Sequence, residues 1–258
     1  MCACTLVCRS WLPRAWLNLY RSFEILPKCI PRFLAILRNN PRLSLSSTKS
    51  IVIGQQVTGP SAQKRLSTLF TTTKVTNLEY LRIPYMKLDK EHSVITRGPL
   101  SRTVTSLNLW QTHSCNVATL LRFLNSFRSL TDLQLSFSSS HSHCDSLSYS
   151  GQILPRPHPI PGRALNSLSI PLVPGIGRLL EWYIRERSFL AKLNKLRLNW
   201  DHDQSKNKNS SCSSVECFKP LLDHCADTLE GLIIDIHCSI DEGPMTNGIP
   251  SAGMFYCN

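Results

Sequence analysis

Six short segments of the chain repeat one apolar pattern: Leu78-x-x-Leu81-x-Ile83, Val104-x-x-Leu107-x-Leu109, Leu130-x-x-Leu133-x-Leu135, Leu165-x-x-Leu168-x-Ile170, Leu193-x-x-Leu196-x-Leu198 and Leu229-x-x-Leu232-x-Ile234. Their starts lie 26, 26, 35, 28 and 36 residues apart. The last four residues of each segment alternate, which is the period of a strand with one face buried. A unit of this length cannot bury its own apolar face, so neighbouring units must stack. The expected product is an extended recognition surface rather than a catalytic pocket.

Between the segments lie stretches of helical period. Val117, Leu120, Leu121, Leu124 and Phe127 form one stripe over residues 116–127. Ile176, Leu179, Leu180, Tyr183 and Ile184 form another over 175–188, and Val215, Phe218, Leu221, Leu222 and Cys225 a third over 214–226. Strand followed by helix, several times over, predicts an α/β fold of leucine-rich-repeat-like solenoid form, with its degenerate repeats over 75–240. The leucines are read as core. Recognition is assigned to the alternate positions Asn108, Asp132, Gln134, Asn166, Lys195 and Arg197, expected on the exposed sheet face as a surface of mixed charge.

Ahead of the repeats, residues 4–23 read as a helical segment broken near Pro13. A second helix is expected over 29–39, ended by Pro41, then a strand at Ile51-Val-Ile53 and a weaker helix over 61–73. Residues 26–74 are thus expected to be capping helices and a strand. Residues 136–163 are rich in Ser, His and Pro, and 201–213 in Ser, Asn and Lys; both have loop composition and explain the two long gaps. Residues 241–258 carry three glycines and two prolines and are expected to be a flexible tail.

Composition narrows the function classes. The formal net charge is +12, from 29 basic and 17 acidic residues, but no run of five or more basic residues occurs. The bland reading is a solvated basic surface, and nucleic acid is not expected as a partner. The eleven cysteines are odd in number and contain no CxxC pair, which points to a reducing compartment, cytoplasmic or nuclear. Cys115, Cys217 and Cys225 fit as small buried apolar groups. No apolar run reaches the roughly 18 residues of a spanning helix, so no membrane is expected. His141, His143, Cys144 and Asp145 lie close together, but zinc needs four converging ligands at suitable spacing; a polar loop is the simpler reading, and no metal or cofactor is expected. Asp201-His202-Asp203 follows a strand without a recognisable second half of a site. No nucleophile elbow, P-loop or dinucleotide fingerprint is present, and the chain is not expected to be an enzyme.

The stretch Cys4-Thr-Leu-Val-Cys8-Arg-Ser-Trp11-Leu-Pro-Arg-Ala-Trp-Leu-Asn-Leu-Tyr20 resembles the second half of an F-box. The segment from Leu6 to Ala15 is similar to fungal F-box proteins with degenerate leucine-rich repeats, as are Phe33-Leu34-x-x-Leu37 with Pro41 and the Leu120-to-Leu135 helix and strand. The resemblance implies a substrate-recognition subunit of a cullin-RING ubiquitin ligase, with a Skp-type adaptor and a target protein as partners. It places Leu6, Val7, Trp11, Leu12, Leu19 and Tyr20 in the F-box helices, where they would form the adaptor contact. The Leu-Pro and first helix of the motif have no counterpart ahead of Cys4, so two expectations stand side by side for residues 1–25: the sequence starts too late to include them, or this is a truncated F-box that cannot dock. The competing reading is a stand-alone repeat protein that binds a protein or RNA through a basic face.

Overall fold

A computed structural model describes residues 12–40, 45–54, 60–73, 75–84, 100–110, 117–136, 164–171, 176–185, 190–201, 218–237 and 255–257. The chain divides into two compact units. One comprises Met1–Ser114 with Thr119–Leu130, the other Cys115–Ala118 with Thr131–Asn258. Both are α/β.

The first unit opens with α1 (Leu12–Arg21), which leads directly into β1 (Ser22–Ile25). Pro13 sits in the first turn of α1, where its missing N–H costs nothing; the part of the expected segment before it lies outside the described residues. A one-turn 3-10 helix (Pro27–Cys29) and α2 (Ile30–Asn39) follow, with Pro31 in the first turn of α2. At the far end of α2, Asn40 donates its side-chain amide to the Ile36 carbonyl at 2.9 Å. Next come β2 (Ser50–Ile53), α3 (Pro60–Thr72), β3 (Tyr80–Pro84), the single turn α4 (Leu100–Thr103) and β4 (Ser106–Trp110). Strands β1 to β4 pair side by side, all parallel, with Phe23 opposite Ile51, Ile51 opposite Leu81 and Leu81 opposite Leu107. Gly54 follows β2 directly: its N–H donates to the Ile25 carbonyl at 3.0 Å, and a Cβ there would collide with the Leu26 side chain. Helix α5 (Val117–Ser126) buries Leu120, Leu121, Phe123 and Leu124.

In the second unit β5 (Asp132–Leu135), β6 (Ser167–Pro171), β7 (Lys195–Asp201) and β8 (Gly231–His237) pair in parallel, with Leu133 opposite Leu168, Leu168 opposite Leu196 and Leu196 opposite Leu232. Helix α6 (Ile176–Arg185) lies between β6 and β7 in sequence, and α7 (Lys219–Cys225) precedes β8; the two helices pack on each other. β9 (Phe255–Cys257) pairs with β8 antiparallel, inside a stretch expected from its composition to be a free tail. The loops expected at 136–163 and 201–213 lie almost wholly outside the described residues.

The leucine frame is the core. Its first position (Leu78, Val104, Leu130, Leu165, Leu193) and its second (Leu81, Leu107, Leu133, Leu168, Leu196) are all buried, as are Ile83, Leu109, Leu135, Ile170 and Leu198 at the third. A seventh copy that the leucine pattern hides precedes these six. Thr48, Ile51 and Ile53 occupy the same frame around β2 and are equally buried. The last copy is the exception: Leu229 and Leu232 are half-buried and Ile234 is exposed. Among the described residues no helix follows β8 to cover them.

One backbone device recurs at the entrances of β3, β4, β6, β7 and β8. The carbonyl of the residue just before a strand accepts two N–H groups from the next strand entrance. Lys49 takes Glu79 and Tyr80, Glu79 takes Thr105 and Ser106, Thr131 takes Asn166 and Ser167, Asn166 takes Asn194 and Lys195, and Asn194 takes Glu230 and Gly231, all at 2.8–3.1 Å. Side chains add a second tie at an equivalent place, with Asn77 donating to the Ser46 carbonyl and Ser129 to the Arg102 carbonyl. Backbone groups outside the helices and strands are thereby satisfied within the fold.

Cys225 ends α7 and is fully buried. Burial pushes its thiol from the ordinary 9.0 up to about 11. The folded state then holds the neutral thiol while the unfolded chain ionises. Stability should be unaffected by this group below pH 9 and should fall as pH rises from 9 towards 11. Urea unfolding across that window should show the loss, and Cys225→Ala should flatten it. Exposed Cys29 should react with iodoacetamide in the native protein at pH 8 and Cys225 should not, as read by mass spectrometry.

Candidate functional site

The face of the second unit's strands opposite the core is built by the residues that alternate with the leucines, of which Ser169 and Pro171 are buried. Register sets them in rows. Asp132, Ser167, Lys195 and Gly231 form the first; Gln134, Ser169, Arg197 and Ile233 the second; Pro171, Asn199 and Asp235 a third. Gln134 and Lys195 are exposed, and Asp132, Arg197, Asn199 and Asp235 half-buried. Arg197 Nε meets Asp235 Oδ2 at 2.7 Å, and Asn199 donates to Ser169 Oγ at 3.2 Å. Thr131 donates to the Asp132 carboxylate at 2.7 Å. The Arg197–Asp235 ion pair and the hydrogen bonds of Asn199 and Thr131 tie neighbouring polar side chains to one another on this face.

Four of the six residues expected on this kind of face therefore stand together on one sheet: Asp132, Gln134, Lys195 and Arg197. Two do not. Asn108 belongs to β4 of the first unit and is only 8% exposed. It sits opposite Arg82 on β3 and two residues before Trp110, and the Arg82 guanidinium lies over the Trp110 ring at 4.8 Å, so large side chains flank it on the same face. Asn166 precedes β6 and lies on the strand-entrance rim, where its carbonyl takes the N–H groups of Asn194 and Lys195. Alternation does not bring it onto the polar face, since it shares the parity of Leu168 and Ile170, and the strand begins only at Ser167.

Of the residues assigned to an adaptor contact, Leu6, Val7 and Trp11 lie outside the described residues, and only the backbone of Leu12 is described, as the start of α1. Leu19 and Tyr20 are half-buried in the last turns of α1. The Tyr20 ring is 6.3 Å from Phe23 and 6.2 Å from Phe33, and those two rings are 5.3 Å apart. Tyr20 thus ties α1 to β1 and α2, and residues 22–25 form a strand where helix was expected.

A second polar surface lies in the first unit. A groove of about 700 Å³ runs along the rim where β1 to β4 begin. Arg21, Lys49 and Glu79 line it with Asn18, Asn77 and Thr103. Lys49 Nζ pairs with Glu79 Oε1 at 2.5 Å, and the buried Thr103 hydroxyl has no hydrogen-bond partner among the described residues. The sequence signal for this surface is not a run of charge but its distribution. Residues 1–130 hold 18 basic and 4 acidic side chains; residues 131–258 hold 11 and 13. A reading by runs sees basic residues spread evenly and misses this asymmetry.

Among the described residues no three His, Cys, Asp or Glu side chains come together as a metal site, and no helix is long and apolar enough to cross a membrane. The histidine–cysteine cluster at 141–145 lies outside them, as do His202 and Asp203. Comparison with protein-family models, with curated proteins and with solved structures gives no match.

Proposed function

We propose that the chain is a non-enzymatic protein-binding module of leucine-rich-repeat-like solenoid form, which holds its target on the strand face of the second unit opposite the core. The observation that carries this is the in-register mosaic of Asp132, Gln134, Lys195, Arg197 and Asp235 on parallel strands whose other face is leucine. In-register polar side chains of both signs on neighbouring strands, Gln134 and Lys195 among them exposed, suit a protein surface better than a small substrate. The recurring strand-entrance bonds and the shared leucine frame support the repeat reading.

The likeness of residues 4–20 to an F-box extends the proposal to target recruitment for a ubiquitin ligase, with a Skp-type adaptor as the second partner. Co-expression with such an adaptor, followed by size-exclusion chromatography, tests it. Co-elution is expected, from this chain or from one extended upstream to carry a first F-box helix. Separate elution in both cases overturns the ligase role. The engagement of Tyr20 with Phe23 and Phe33 is a specific observation in favour of the stand-alone repeat protein, since that ring already serves the fold.

A further inference from the structure

We infer that the first unit binds single-stranded nucleic acid across its strand-entrance rim and the adjoining sheet face. The inference stands apart from the protein-binding face of the second unit and from the adaptor, and it uses residues of the first unit alone.

Charge is the first observation. The described residues of this unit carry twelve basic side chains against two acidic ones, Glu24 and Glu79. Glu79 is taken up by Lys49, and Glu24 lies on β1. Arg21 lines the rim groove, exposed and with no ion pair among the described residues. Arg102 and Arg128, both exposed, hold equivalent places in successive repeats: the Arg128 N–H donates to the Ser101 carbonyl at 2.7 Å, and Ser129 to the Arg102 carbonyl at 2.6 Å. Exposed cations carried at the repeat spacing on a bonded backbone along one rim fit a polymer of regularly spaced negative charges.

The second observation chooses among polyanions. The Arg82 guanidinium lies over the Trp110 ring on the sheet face, and both are half-exposed. Tyr80, also half-exposed, alternates onto the same face of β3, one residue beyond Glu79 of the groove. Arg82 is three residues beyond Glu79, about 10 Å along the strand. Flat π faces and a guanidinium plane beside a cationic rim are what splayed bases stack on. An acidic protein would use the charges and leave the ring faces idle. An anionic membrane needs apolar side chains that protrude, and here the aromatic groups are half-covered. A duplex keeps its bases stacked on each other, out of reach of Trp110.

The test is fluorescence anisotropy of the full chain with a labelled oligouridine over a range of NaCl. Three or four phosphate contacts predict a log–log salt slope of about −2 to −3, and Arg102→Gln with Arg128→Gln should reduce its size by about 1.4. Trp110→Ala should weaken binding about 5- to 150-fold with the slope kept, and Trp110→Phe much less. Arg82→Gln should also weaken it, and serves as the readout if Trp110→Ala does not fold by circular dichroism. The inference is overturned if affinity does not depend on salt, if folded Trp110→Ala and Arg82→Gln bind as wild type, or if polyglutamate or phosphatidylserine vesicles bind as tightly as the oligonucleotide.

Discussion

Replacing Phe127 by alanine should lower the stability of the folded chain by about 3–5 kcal/mol, the cost of removing a large aromatic side chain from a closed core. Phe127 is fully buried just after α5, with its ring 5.2 Å from that of Phe123 in an edge-to-face arrangement. Its N–H donates to the Leu124 carbonyl at 3.1 Å, and the next residue, Arg128, is tied to Ser101. The backbone is therefore held at both sides of the ring and has little freedom to collapse into the space left behind. Aromatic pairs add about 0.5–1.5 kcal/mol beyond area, which places the expected loss towards the upper end. Urea unfolding followed by circular dichroism measures it. Arg122→Ala, on an exposed position of the same helix, should change stability by less than about 0.5 kcal/mol. A Phe127→Ala loss no larger than that of Arg122→Ala would contradict the packing described for α5.

Thr48→Val should cost about 1–3 kcal/mol although it preserves shape. Thr48 is fully buried, and its hydroxyl donates to the Tyr20 carbonyl at 2.7 Å. Tyr20 lies in the last turn of α1, where carbonyls have no partner within the helix. The hydroxyl thus satisfies a helix end and joins α1 to the entrance of β2, beside the bond from Lys49 N–H to the Arg21 carbonyl. Valine fills the same space and leaves the Tyr20 carbonyl short of a donor. Hydrogen exchange should report the difference locally, with faster exchange in α1 and little change in α6 and α7 of the other unit. Uniform acceleration across both units would show that Thr48 does not act through this cap.

Both sites show what was readable in advance. The six strands from β3 to β8 and helices α2, α3, α5, α6 and α7 lie where period and punctuation put them, because each buries one face and the sequence must carry that face's spacing. β1 overlaps the end of the helical pattern over 4–23: Phe23 and Ile25 alternate over only four residues, too few to break that pattern. The sequence marks β2 only as a strand of a capping segment and not as a full copy of the frame, because threonine holds the position that leucine holds elsewhere. Thr48 fits there only through its bond to Tyr20, a residue 28 positions away in sequence. β9 had no signal at all, since three residues in a glycine- and proline-rich stretch pair only when an edge strand is offered.

The candidate surfaces divide in the same way. Alternation alone was enough to choose Asp132, Gln134, Lys195 and Arg197, because side-chain period is a local property of a strand. Their arrangement in rows, the Arg197–Asp235 pair and the burial of Asn108 came only with register and with neighbours on other strands. The rim of the first unit was likewise hidden. Arg21, Lys49, Arg102 and Arg128 are scattered through more than a hundred residues, and nothing local marks them as a group. Local spacing thus decided which elements form and which side of each is apolar. The stacking of one strand entrance on the next, through carbonyls that each take two N–H groups, decided which distant side chains share a surface.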